Sequence, residues 1–281
     1  MRIVVLGSSV YSETACAMAV RLAGCGHVPV GVLVLSTFER RTLLRKLAQW
    51  GVRDVTRYAR RKLIPNYGNT RGIVHNSHLE PLLKNGSGIF RTLREVAAFY
   101  GFPVVVGKNQ NAPDSVARVR QWSPDLMVFT GGNILRKPLL DVPRLGVLNV
   151  HLGLLPEIRG MSSPEWSLLK GVPVGVTIHY LDAGIDTGPI LQTYEFTDAA
   201  GCDSLAELRN RLIAFGIEKI GAVVSSLDQG AITAIPQTDH DTDNDKDEDN
   251  QFFVMHEWLR ARANRRLTQC RIGAVAERMH G

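Results

Sequence analysis

RIVVLGSSVYSETACAMAVRLAGCGHVPVGVLVL, Arg2 to Leu35, is the stretch that decides the fold. Arg2–Leu6 reads as a buried strand, and the run breaks at Gly7-Ser8-Ser9. Ser12-Glu13 then opens a helical run, ETACAMAVRLAG, that can stop at Gly24. His27–Leu35 is a second strand. Strands that are apolar on both faces, joined through a helix, make a β-α-β unit in a parallel sheet covered on both sides. The predicted class is α/β: an open, mostly parallel twisted sheet with helices on both faces, Rossmann-like, followed by a short C-terminal helical tail.

A chain of 281 residues with 44% hydrophobic and 21% charged residues buries a large core and has the balance of a soluble globular protein. Cys16, Cys25, Cys202 and Cys270 contain no C-x-x-C pair, which argues against a disulfide framework or a thiolate zinc site. The apolar run after Arg2 is too short for a secretory signal or a membrane span. These features predict a cytoplasmic protein without a membrane partner.

The alternation continues downstream. FRTLREVAAFYG reads as a helix, Pro103–Gly107 as a strand, Asp114–Trp122 as a helix and Asp125–Thr130 as a central strand ending at Gly131-Gly132. LGVLNVHL is the next strand. A helix follows, with Ser163 as its capping residue and Pro164 at the first helical position. GVTIHYL and ILQTYEF are strands flanking the turn DAGIDTG, and Ser204-Leu205-Ala206-Glu207 is a capping box opening a long helix to Leu227. A compact α/β domain is expected over residues 1–236, with a basic helical and loop insertion over 38–88.

Much of the basic charge behind the net +6 lies between Phe38 and Leu63. Such a patch attracts phosphates or nucleic acid, or is simply a solvated helix face. Asn66–Gly88 reads as a long loop, with His75 and His78 as loop residues. Residues 237–250 form an acidic linker. A calcium loop counted from Asp241 fails there, since Lys246 stands where glycine is needed and Phe252 where glutamate is needed. The tail, 251–281, begins apolar and ends as a basic amphipathic helix. Trp258, Leu259 and Phe252-Phe253 are its candidates for docking on the domain or for a homodimer contact.

The polar signal with chemical logic is Asn149-x-His151 inside GVLNVHLGLLPEIRG, combined with the turn Asp182–Gly188. Residues two apart in a strand point the same way, so Asn149 and His151 project together from the strand's carboxyl end, where open α/β sheets bind ligands. Asparagine donates a neutral hydrogen bond, histidine is acid or base near neutral pH, and aspartate holds or receives a proton. The set suits acyl transfer through an oxyanion. Each part alone also fits a structural histidine and an ordinary turn.

PRLGVLNVHLGLLPEIRG followed by GVTIHYLDAGIDTGPIL resembles the signature of the folate-dependent formyltransferases, a family that includes methionyl-tRNA, glycinamide ribonucleotide and sugar N-formyltransferases. The resemblance covers Ser123 to Phe196 and, by pattern, the opening strand-helix-strand. It implies a formyltransferase fold and transfer of a formyl group from 10-formyltetrahydrofolate to an amine, with no metal. It implies Asn149, His151 and Asp186 as catalytic residues, with protonated His151 and Asn149 stabilising the oxyanion. It further implies that the pterin lies between Asp182, Ala183, Gly184 and Ile185 and the loop Gly131, Gly132, Asn133 and Ile134, held largely through backbone groups. Gly153 stands where many relatives have serine.

Within the family, the acidic and largely helical tail argues against tRNA as partner. GSSVYSETA departs from the glycine-rich phosphate loop of the glycinamide ribonucleotide enzymes. A strand starting at Arg2 leaves no leading regulatory domain of the hydrolase kind. The expectation is therefore a small-molecule amine acceptor, an amino sugar on a nucleotide being favoured. The methionyl-tRNA and glycinamide ribonucleotide activities, the hydrolase and a non-catalytic folate-binding module are the alternatives.

Overall fold

In a computed structural model, residues 1–36, 75–86, 88–237 and 250–280 are described, the side chains of 273–280 excepted. The basic Phe38–Leu63 segment, the acidic Asp239–Asp249 run and residues 66–74 of the expected loop lie outside them. Met1–Leu145 and Gly146–Gly281 form two compact units.

In the first unit, β1 (Ile3–Gly7) pairs in parallel with β2 (Gly31–Leu35) and with β6 (Leu126–Phe129), and β2 pairs in parallel with β5 (Val104–Gly107). The order is β6-β1-β2-β5. Ile3, Val4, Val5 and Leu6 are fully buried, each such side chain contributing about 1.5–3 kcal/mol relative to exposure. Helix α1 (Glu13–Gly24) is capped by Ser12, whose hydroxyl accepts the Ala15 N–H. A Cβ on Gly7 would lie 3.0 Å from that of Ala15, so the end of β1 meets α1 closely. β2 starts at Gly31 and not at His27, because Pro29 has no N–H to give a ladder and Val28 is exposed.

The described part of the expected loop is more ordered than its composition suggests. A 3₁₀ turn (Ser77–Leu79), α2 (Glu80–Leu83) and a hairpin of β3 (Lys84–Asn85) and β4 (Gly88–Ile89) follow one another, and Leu79 and Leu83 are buried. The two leucines are one helical turn apart, which gives this short piece an apolar side. His75 is fixed between two carboxylates, Nδ1 at 2.7 Å from Glu13 and Nε2 at 2.9 Å from Glu80. Helices α3 (Leu93–Tyr100), α4 (Pro113–Gln121) and α5 (Lys137–Leu140) also belong to this unit.

The second unit is built on β7 (Gly146–His151), antiparallel to β9 (Gly175–Tyr180), which is antiparallel to β10 (Ile190–Glu195). After the short strand β8 (Arg159–Gly160), α6 spans Ser163–Lys170. Its cap is Ser162, not the expected Ser163. Ser162 takes a left-handed backbone (φ 56°) and spends its hydroxyl on the Met255 N–H, while the Ser163 hydroxyl donates to the Gly160 carbonyl. Helix α7 (Leu205–Asp228) has the predicted cap, Ser204 accepting the Glu207 N–H. Gly216 lets α7 approach β7, since a Cβ there would fall 2.4 Å from Val150.

The C-terminal segment folds onto this unit. β11 (Gln251–Phe252) runs parallel to β8, and Phe252 stacks on Trp166 at 4.8 Å between ring centres. Helix α8 (Glu257–His280) follows. Met255, Ala263 and Leu267 enter a core with Val176, Leu208 and Leu212. Ala263 and Leu267 are one helical turn apart, whereas Trp258, proposed from the sequence, is 83% exposed and Phe253 is exposed as well. Among the described residues no helix is long and apolar enough to cross a membrane.

Candidate active site

The register of β7 and β9 builds the site. Asn149 lies opposite His179, and His151 opposite Thr177, so the four side chains share one face of an antiparallel pair. His179 is 0% exposed and His151 6% exposed. The turn between β9 and β10 brings Asp186 to the same place. Its Oδ2 is 3.3 Å from His151 Nδ1 and its Oδ1 is 3.5 Å from His179 Nε2. Asn149 Nδ2 is 3.2 Å from His179 Nε2. The three residues singled out from the sequence are thus together, and His179 joins them.

The hydrogen bonds assign the protons. His151 Nε2 lies 2.7 Å from the Ile158 carbonyl, to which it can only donate, so in the neutral ring Nδ1 carries the lone pair that faces Asp186. Burial pushes His151 below its ordinary value; Asp186 and the Ile158 carbonyl pull upward without overcoming it. The imidazole is therefore neutral at neutral pH, in place of the protonated ring expected from the sequence. Burial alone would raise Asp186, but hydrogen bonding with His179, the adjacent His151 and the Gly160 N–H together hold its carboxyl below the usual range. The Gly160 N–H donates to Asp186 Oδ2 at 2.9 Å. The pair is an ionised carboxylate facing an imidazole lone pair, which is a ready place for a proton.

The surroundings fix these groups. Thr177, fully buried, donates to the Gly153 carbonyl at 2.7 Å and accepts the Leu155 N–H at 3.0 Å, closing the loop after β7. A Cβ on Gly153 would lie 2.9 Å from His151 Nε2, so glycine here leaves room for the ring to reach Ile158.

The segments expected to hold a pterin fall in separate units. In the first, Gly131 and Gly132 have φ of +126° and +144°. Gln110, fully buried, donates to the Gly131 and Gly7 carbonyls and accepts the Asn133 N–H, while Asn111 donates to the Ile134 carbonyl. The Ile134 side chain stays exposed. In the second, Asp182 folds back on its own turn, accepting from the Gly184 N–H and the Thr187 hydroxyl, and Ile185 is exposed beyond Ala183. Each segment offers an exposed isoleucine and backbone beside glycine. Among the described residues no cluster of side chains could hold a metal ion.

Sequence reasoning missed His179, Gln110 and Gln237. His179 carried a signal: Thr177 and His179 alternate with Val176, Ile178 and Tyr180, as Asn149 and His151 do in their strand.

Residues 90–224, just under half of the chain, match the formyl transferase family. The chain is 35% identical over 149 residues to methionyl-tRNA formyltransferase of Geobacter metallireducens, covering 52% of this chain and 48% of that protein. It is 39% identical over 128 residues to methionyl-tRNA formyltransferase of Halorhodospira halophila, covering 45% and 41%. The chain thus spans about half the length of the curated relatives it matches. Its fold matches that of glycinamide ribonucleotide transformylase 1 from Symbiobacterium toebii, with a TM-score of 0.53, 17% identity and coverage of 84% of this chain and 94% of that one. The argument against tRNA does not survive these relatives, which are named for a tRNA substrate. Its physical premise also fails. The acidic charge sits in the linker, while α8 carries Arg260, Arg262, Arg265, Arg266 and Arg271 against one acid, Glu257, over its first four turns.

Proposed function

We propose that this protein transfers a formyl group from 10-formyltetrahydrofolate to a primary amine, in the cytoplasm, with Asn149, His151 and Asp186 as catalytic residues. The observation that carries the reading is the Asp186 carboxylate facing the lone pair of His151 Nδ1 at 3.3 Å, beside Asn149, in the segment that matches the family. The folate supplies a formyl carbon open to attack and a nitrogen that can leave.

The chain's own residues supply the rest. As the amine attacks, negative charge grows on the formyl oxygen, and the Asn149 amide is the neutral donor aimed to stabilise it. The amine's surplus proton passes to the space between Asp186 Oδ2 and His151 Nδ1. There it turns a repulsive contact of two electron-rich atoms into a charge-assisted hydrogen bond. A proton held at that point then protonates the departing nitrogen. His179 lies against Asp186 and Asn149 through the same ring nitrogen, Nε2, and is assigned no proton transfer.

Two acceptors separate the finer readings. The names of the relatives point to the amino group of methionyl-tRNA; an amino sugar is the small-molecule reading. Incubation with 10-formyltetrahydrofolate and either methionyl-tRNA or a panel of amino sugars, read by tetrahydrofolate release and product mass, decides between them. No formylated product from any amine overturns the reading.

A further inference from the structure

Asp186 stands in a left-handed backbone conformation, φ 55°. For a residue with a Cβ this costs on the order of 1–2 kcal/mol, and it persists only where the surroundings hold it. One side chain from far along the chain does so. Gln237 Nε2 donates to the Asp186 carbonyl at 2.9 Å and to the Gly188 carbonyl at 2.7 Å. Both carbonyls belong to the turn that carries the carboxylate. Gln237 Oε1 in turn accepts from Arg159 Nε at 3.2 Å and Nη2 at 3.1 Å.

Arg159 is buried, and its positive charge pulls on the amide oxygen, which strengthens the amide N–H groups as donors. Its neighbour Gly160 donates directly to Asp186 Oδ2. Arg159 and Gly160 are β8, which is paired to β11 on its other side. Gln237 is placed by Ile235, whose N–H and carbonyl both bond Ile190 at the start of β10.

We propose that Gln237, braced by Arg159, is a positioning residue for the Asp186 carboxylate, holding it where it meets His151; this rests on the catalytic part assigned to Asp186 above. Gln237 touches no reacting atom. It bonds two carbonyls of the turn itself, so its loss frees the turn to relax toward ordinary φ and carries Oδ2 away from His151 Nδ1.

The test uses the full chain and the variants Gln237→Ala and Gln237→Met, the second keeping the side chain's length without its hydrogen bonds. In the ligand-free protein, NMR titration of the His151 ring reads the carboxylate directly, since Asp186 raises the affinity of that ring for a proton and His179 opposes it. Asp186→Asn sets the scale. Both Gln237 variants are expected to shift the His151 midpoint downward by most of the shift seen in Asp186→Asn. A side chain that only stabilises the fold would lower Tm and leave the midpoint in place. In turnover, kcat is expected to fall about 10- to 100-fold, as for misplacement of a reacting group by about 1 Å, with the folate KM unchanged. An unmoved midpoint in both variants overturns the proposal, as does a kcat within twofold of wild type. If the wild-type protein formylates no amine, the assigned activity falls, and the ligand-free titration alone decides whether Gln237 holds Asp186.

Discussion

His75 in the first unit and His151 in the second both sit against carboxylates, yet they are driven in opposite directions. His75 has Glu13 and Glu80 at 2.7 and 2.9 Å, remains 41% exposed, and is raised above 6.5, chiefly by the hydrogen bonds to those two acids. His151 has one carboxylate at 3.3 Å, is almost wholly buried, and is lowered. Solvent makes the difference. At the surface, water shares the cost of the imidazolium and the carboxylates decide; in the interior the cost of the charge exceeds what one carboxylate returns. The first histidine is a brace whose charged form its carboxylates favour. The second is, on the proposed mechanism, a base that waits for a proton.

The largest expected effect separates the two by function. Asn149→Ala, His151→Ala and Asp186→Asn should each lower kcat by on the order of 100-fold or more, whereas His75→Ala should leave kcat within twofold. Steady-state and single-turnover rates with 10-formyltetrahydrofolate check this, and a comparable loss in His75→Ala would erase the contrast. Asp186→Asn should keep folate affinity, because the amide fills the same space while it cannot hold the proton.

A smaller effect comes from the neighbour of Asp186. Gly160 has φ of +89°, and a Cβ there would meet the Phe252 carbonyl oxygen at 2.2 Å. Gly160→Ala should cost about 2 kcal/mol or more in backbone strain and lost pairing of β8 with β11, measured by chemical denaturation. It should also disturb the His151 ring resonances while sparing those of His75. A change in His75 alone would contradict the assignment of these contacts to the second unit.

The smallest effect is in the pH dependence of stability, where the two histidines have opposite signs. His75 is raised when folded, so its contribution is full below 6.5 and is lost as pH rises through the folded value. His151 is lowered, so its neutral burial favours the fold above 6.5 and that contribution is lost as pH falls toward the folded value; Asp186, also lowered, adds a loss below 3.8. His75→Gln should therefore flatten the decline of Tm as pH rises above 6.5, and His151→Gln should flatten the decline on the acid side of 6.5. Equal flattening on one side by both substitutions would show that burial does not divide them.

The alternation of residue types carried much of this. Arg2–Leu35 predicted its strand-helix-strand from apolar runs and a capping serine, because those signals are local. Asn149 and His151 were visible because two polar residues two apart in an apolar strand must share a face. His179 joins them only through the pairing of β7 with β9, which is a tertiary fact. Gln110 and Gln237 left no trace, since an amide in a loop has no periodicity and acquires meaning from carbonyls far away in the chain. The helix cap moved from Ser163 to Ser162 for the same reason: the Met255 N–H that engages Ser162 arrives 93 residues later.

The distance between Asp186 and Gln237 also orders events in time. The chain emerges from its amino end, at roughly 5–20 residues per second, so the 51 residues between the two take about 3–10 s to synthesise at that rate. During this interval a nascent chain owns both histidines and the aspartate without the amide that braces the aspartate's turn. A fragment released early, or a chain cut just after Pro236, would keep every reacting side chain and lose the means of aiming one of them. On the proposed clamp, full competence is thus a late acquisition of the polypeptide, reached only once translation has passed the start of the acidic linker.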